Sequence, residues 1–143
     1  MKVSTILTGK AVATIKPEAS LKELAQKLAE LKIGALVVSS NGESIAGIVS
    51  ERDIVRAISN KFDSFHNLQV KDIMTVDVLR CTKDSTFAEL MILMTQKRIR
   101  HVPVVDEKGL LLSIVSIGDV VKNHISEIDG ERAALIDYVK SAG

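Results

Sequence analysis

The sequence predicts a mixed α/β (α+β) module in which two β-α-β-β-α repeats pack into one unit. Three observations carry this. Residues 47–53, GIVSERD, return at 113–119 as SIVSIGD, an offset of 66 residues that pairs Ser50 with Ser116 and Asp53 with Asp119. Strand-like and helix-like runs succeed one another in the same order in both halves. The chain has 143 residues, 46% of them hydrophobic, which fits two half-size repeats around one core better than two independent domains.

Each repeat opens with a matched lead-in, VSTILT at 3–8 and VKDIMT at 70–75, before short strand candidates at 12–15 and 78–81. A helix start follows in each. Ser20-Leu-Lys-Glu23 and Thr86-Phe-Ala-Glu89 have capping-box spacing, in which hydroxyl and carboxylate satisfy free backbone donors. Behind them Leu21, Leu24, Ala25, Leu28 and Leu31, and then Phe87, Leu90, Met91 and Met94, recur at helical spacing. The methionines read as core filling rather than a soft-metal stripe.

Two strands joined by a turn come next, 35–38 and 45–49 around Asn41-Gly42, then 102–105 and 110–115 around Lys108-Gly109. Asn-Gly between apolar runs is a hairpin signal because both residues tolerate positive φ. A second helix ends each repeat, with Ile54, Val55 and Ile58 in one and Val120, Val121 and Ile125 in the other. The expected division is a first repeat with its lead-in (1–60), a polar connection (61–69), a second repeat (70–125) and a C-terminal helical tail (126–143). In the tail Ile128, Leu135, Ile136 and Val139 follow a helical pattern broken at Gly130. That tail either covers the module or pairs with a partner chain.

A formal charge of +1 with both signs interleaved offers no broad basic field for nucleic acid or anionic lipid. Cys81 stands alone, so no intrachain disulfide forms, and a buried thiol in a reducing cytoplasm fits. No run approaches the ~20 apolar residues of a membrane span, and residues 1–16 lack a signal-peptide core. His66, in the connection, has no His or Cys partner at metal spacing and reads as a solvated loop residue.

Ser-x-x-Asp before an apolar run is by itself a capping box. Here both copies follow an Ile-Val strand end, and a strand running into a helix N-terminus is where phosphates meet free amides and a favourable dipole. A carboxylate one turn later suits a ribose diol. Serine for phosphate and aspartate for ribose is a coherent pairing.

The order strand, helix, hairpin, Gly-Ile-Val-Ser-x-x-Asp, helix, repeated once, resembles the cystathionine β-synthase (CBS) domain, a small regulatory fold found in tandem pairs. VKDIMT, MTQKRIRHVPVVDEKG and SIVSIGDVVK carry the likeness, and together they resemble a stand-alone bacterial protein made of one such pair with pseudo-twofold symmetry. The resemblance implies an adenosine-containing ligand between the repeats, with Ser50 and Ser116 on phosphate and Asp53 and Asp119 on ribose. It places the adenine slots on Thr14, Ile15, Ile33 and Ala35 in one copy, and on Cys81, Ile99, Val102 and Pro103 in the other.

The copies diverge. The first has Gly47 and Arg52 where the second has Ser113 and Gly118; the second brings Arg98, Arg100 and His101 where the first has Lys32, Gly34 and Ala35. Those cations either decorate an exposed helix end or, as the resemblance implies, contact phosphate, with Lys10 a weaker candidate. The two sites need not bind the same ligand.

Three functions follow for comparison. A nucleotide-sensing regulatory module would bind AMP, ADP, ATP or NAD(H), with AMP or NAD(H) favoured over S-adenosylmethionine, whose sulfonium brings no phosphate to the arginines. It would have no catalytic cofactor and would signal through a homodimer or an effector protein. A structural or interaction domain would use the motifs only as helix caps. A small nucleotide-processing enzyme lacks support, for the chain has no Walker-type loop, metal-ligand cluster or nucleophile-base pair.

Overall fold

The first half runs β1 (Thr14–Ile15), α1 (Leu21–Leu31), β2 (Ala35–Val38), β3 (Gly47–Ser50) and α2 (Glu51–Asn60). The second runs α3 (Val70–Ile73), α4 (Phe87–Lys97), β4 (His101–Val105), β5 (Leu111–Ser116) and α5 (Ile117–Ala142). The computed structural model describes residues 1–142. One sheet has the order β1-β2-β3, with β1 parallel and β3 antiparallel to β2; the other is the antiparallel pair β4-β5.

The lead-ins cross over. A 3-10 turn at Val3–Ile6 places Val3, fully buried, in the core of the second half with Phe87, Leu90, Met94 and Val115. In return α3 places Val70, also fully buried, among Ile15, Leu24, Leu36 and Val49 of the first half. The backbone repeats the exchange. Val3 and Ser4 N–H groups donate to the Ser85 and Lys83 carbonyls at 2.8 and 2.9 Å, while Val70 and Lys71 donate to Ala19 and Pro17, both at 2.9 Å. Burying a valine contributes about 2 kcal/mol, so each repeat is completed by a residue from outside its own unit.

The helix starts are where the sequence puts them. Ser20 Oγ accepts from the Glu23 N–H at 3.1 Å, and Thr86 Oγ1 does the same for Glu89, whose carboxylate accepts in return from Thr86 N–H at 3.2 Å. Both helices end on a cation in the left-handed region, Lys32 at φ 54° and Arg98 at φ 54°. Ile33 and Ile99 then donate back to Leu28 and Met94 carbonyls, both at 3.1 Å, closing the αL stop usually given to glycine. The pair is related by the repeat offset of 66 residues.

Four local expectations change. The strand at 12–15 shortens to Thr14–Ile15, and the one at 78–81 reduces to a single parallel bridge, Cys81 to Val104. Both lie on the outer edge of their sheet, where residues before the pairing point find no ladder partner. Asn41-Gly42 does not make a two-residue turn, since only Gly42 has positive φ, at 80°. Instead Asn41 Oδ1 accepts from Glu43 and Ser44 N–H groups at 2.9 Å, and the loop runs to Gly47 before pairing resumes. Finally, α5 passes through Gly130 without a break; an interior glycine costs about 1 kcal/mol relative to alanine, and Glu131, Arg132, Ala133, Ala134 and Leu135 are strong helix formers that carry the helix on.

Candidate functional site

Each motif serine is the last residue of a strand and the cap of the next helix. Ser50 Oγ accepts from Asp53 N–H at 3.4 Å, and Asp53 Oδ2 accepts from Ser50 N–H at 2.8 Å and from its hydroxyl at 3.1 Å. Ser116 and Asp119 repeat the arrangement at 3.2, 3.3 and 2.9 Å. One carboxylate oxygen, Oδ1, is thus left over in each copy. Asp53 Oδ1 faces the Arg56 guanidinium at 4.0 Å, a cation that the sequence reading missed although residues three apart are neighbours on a helix.

Strand register decides what stands opposite the motifs. Ala35 is paired with Ser50, and His101 with Ser116. The two junctions meet where the repeats touch: a methyl group added to Gly34 would lie 2.8 Å from Glu51 Oε1 and 3.4 Å from His101 Cε1. Glycine at 34 therefore leaves room for a carboxylate of its own repeat and an imidazole of the other. Burial lowers the His101 pKa from its ordinary value of 6.5, opposed by Asp119 and Glu51 and assisted by Arg100. His101 is thereby coupled to both junctions at once. Glu51 and Gly34 were not singled out by sequence; the signal available was that Gly34 stands where the second copy has Arg100.

Gly47 has a separate role. A Cβ there would stand 2.7 Å from the Thr75 carbonyl oxygen and 2.8 Å from Met74 Sδ, because residue 75 pairs across Ile48 with two 2.9 Å hydrogen bonds. The crossing second lead-in requires that glycine beside the first motif.

The remaining expected contacts divide. Arg52, Arg98, Arg100 and Lys10 are exposed and make no ion pair among the described residues. Ile33 lines a groove of about 500 Å³ with Leu28, Lys32, Gly34, Glu51 and Ile54 beside the first motif. Thr14 and Ile15 pair with Val37 and Val38, toward the other end of β2 from Ser50, and line a different groove of about 900 Å³ with Lys27, Ser39 and Asn41. In the second copy Ile99 is half-buried, whereas Cys81, Val102 and Pro103 are buried. Val102 sits wholly within the core, and burial pushes the Cys81 thiol up to about 11. Those three side chains are withdrawn from the surface. Among the described residues no cluster of His, Cys, Asp or Glu has the arrangement of a metal site, and no helix is long and apolar enough to cross a membrane.

Two capped strand-to-helix junctions meeting across a duplicated β-α-β-β-α unit define a tandem-repeat α/β module. The CBS domain family model matches twice, over residues 3–60 and 70–125, and the chain belongs to the CBS-domain family as a tandem pair. A CBS-domain-containing protein of Agrobacterium tumefaciens is 40% identical and superposes with a TM-score of 0.81 over 87% of this chain and 99% of its own. An uncharacterized 17.7 kDa protein of Acidianus ambivalens is 38% identical over 85% of this chain and 71% of its own length. Two relatives were solved with ligands. CBSX2 in complex with AMP is 25% identical, with a TM-score of 0.75 over 87% of this chain and 96% of its own. The CBS domain pair of protein MJ0100, in complex with 5′-methylthioadenosine and S-adenosyl-L-methionine, is 25% identical, with a TM-score of 0.78 over 89% of this chain and 98% of its own.

Proposed function

We propose that the chain is a nucleotide-sensing regulatory module that binds an adenosine-containing ligand, AMP before others, between its repeats and has no catalysis of its own. The observation that carries this is the junction itself: two Ser-x-x-Asp caps, each with one carboxylate oxygen outside the cap, meeting at His101, whose imidazole feels both Asp119 and Glu51. In this reading Asp53 and Asp119 hold ribose. Ser50 and Ser116 take phosphate, helped by the free cations Arg52, Arg98 and Arg100 and by His101, with Lys10 a weaker contributor. Ile33, Ala35, Ile99 and Pro103 edge the base, with Thr14, Ile15, Cys81 and Val102 behind them.

The relatives solved with AMP and with S-adenosylmethionine support an adenosine ligand and are equally distant from this chain. The unpaired arginines favour AMP, since a sulfonium gains nothing from them. NAD(H), whose case rests on the same arginines, is a secondary candidate. A ligand shifts an equilibrium only by its differential affinity for two states, so the output runs through self-association or an effector protein. The completeness of both caps favours the alternative of a structural domain without ligand. Thermal melting against AMP, NAD(H) and S-adenosylmethionine separates the two, because bound ligand raises the melting temperature with its concentration over Kd. A shift with AMP supports sensing, and no shift with any adenine compound sinks it.

A further inference from the structure

The outer face of α5 is an apolar stripe left exposed by the described residues of its own chain. Val121, Ile125, Ile128, Leu135 and Val139 follow one another at steps of four, three, seven and four residues, with Arg132 dividing the seven-residue step. That is the 3.5-residue repeat of helices that pair. Ile125, Leu135 and Val139 are 52%, 63% and 61% exposed, and every residue from 131 to 141 is exposed. The family match ends at residue 125, so the stripe extends past the shared fold. A helical segment of about a dozen residues exposed along its whole length is marginal in water, and Gly130 weakens it further.

We infer that the cover is α5 of a second copy, lying antiparallel with its dyad beside Gly130. Arg132 decides the direction. In a parallel pair in register, two Arg132 side chains would meet inside the seam, like charge against like. In the antiparallel pair Val121 meets Val139 of the second copy, Ile125 meets Leu135, and Arg132 meets Ile128. The guanidinium then lies beside the acidic residues Asp129 and Glu131 of the second copy, which flank the dyad. Every seam layer is apolar except the central ones, where opposite charges converge. The inference gives a surface to the self-association in the functional reading above and rests on that part of it alone.

Light scattering and disulfide trapping on the full chain test it. The double variant Ile125→Cys with Leu135→Cys is expected to oxidise to a covalent dimer linked 125 to 135 between chains, at least tenfold more than either single variant. Arg132→Glu is expected to weaken the dimer at least tenfold, and adding Asp129→Arg to recover most of that loss. Cross-linking by Ile125→Cys alone as efficient as by the pair overturns the antiparallel arrangement. A wild-type dimer that the double variant never traps overturns the surface while self-association stands. A wild-type monomer overturns both, whereas a melting shift with AMP in that monomer leaves ligand binding intact.

Discussion

Replacing Asp119 with alanine separates helix capping from ligand binding, because the two roles differ in size. Its Oδ2 accepts from the Ser116 amide at 3.3 Å and hydroxyl at 2.9 Å. Losing half of an exposed capping box costs about 1 kcal/mol, which for a chain of this length lowers Tm by about 4 °C. A ribose diol on the same carboxylate would make charge-assisted hydrogen bonds of about 1.5–3 kcal/mol each. Taking about 3 kcal/mol for the pair, AMP affinity at that site falls roughly 150-fold. Calorimetric titration with AMP gives the affinity, and melting without ligand gives the capping loss. Asp119→Asn, which keeps an acceptor for the cap, should restore most of the Tm and little of the affinity. A fall of about 4 °C with AMP affinity unchanged refutes the ribose role and leaves only a cap.

Four further outcomes follow from particular contacts. Val3→Ala and Val70→Ala each empty a fully buried site filled from the opposite lead-in and should destabilise by about 2 kcal/mol in chemical denaturation; loss below about 0.5 kcal/mol for either contradicts the crossover. Gly47→Ala puts a methyl 2.7 Å from a backbone carbonyl and should cost about 1–3 kcal/mol, where Gly42→Asn at a free turn should cost far less. Gly34→Ala meets chiefly the flexible end of Glu51, so it should fold normally and change AMP affinity more than stability. His101 has a folded-state pKa below its ordinary 6.5, so the unfolded chain takes up its proton first as pH falls. Its contribution is present above pH 6.5 and is lost downward through the lower folded-state value; His101→Gln should flatten that part of the stability–pH curve, and an unaltered curve counts against the burial reading.

Much of this fold is legible in the sequence because it is local. The caps at Ser20 and Thr86, the apolar periodicity of α1 and α4, and the strand-to-helix junctions at Ser50 and Ser116 depend on residues within one or two turns. The crossing of the lead-ins is not legible. An offset of 67 residues between VSTILT and VKDIMT shows that they are equivalent but not which core receives Val3 or Val70. The αL stops at Lys32 and Arg98 were hidden for a different reason: cations replace the glycine that usually marks such a turn. At the site, the serines and aspartates announce themselves by repetition. Glu51, Gly34 and Arg56 do not, since their importance arises from the other repeat's His101 and from helix geometry around Asp53. Cys81, expected to be buried, and Val102 both have side chains in the core of the second half.

Calorimetric titration of AMP into ligand-stripped protein, run on the wild type beside Asp53→Ala and Asp119→Ala, tests the functional reading most directly. Saturable binding to the wild type, with each variant losing a different part of the heat, is the expected result. No binding by the wild type, together with no melting shift from any other adenosine compound, would contradict it and return both motifs to the role of helix caps.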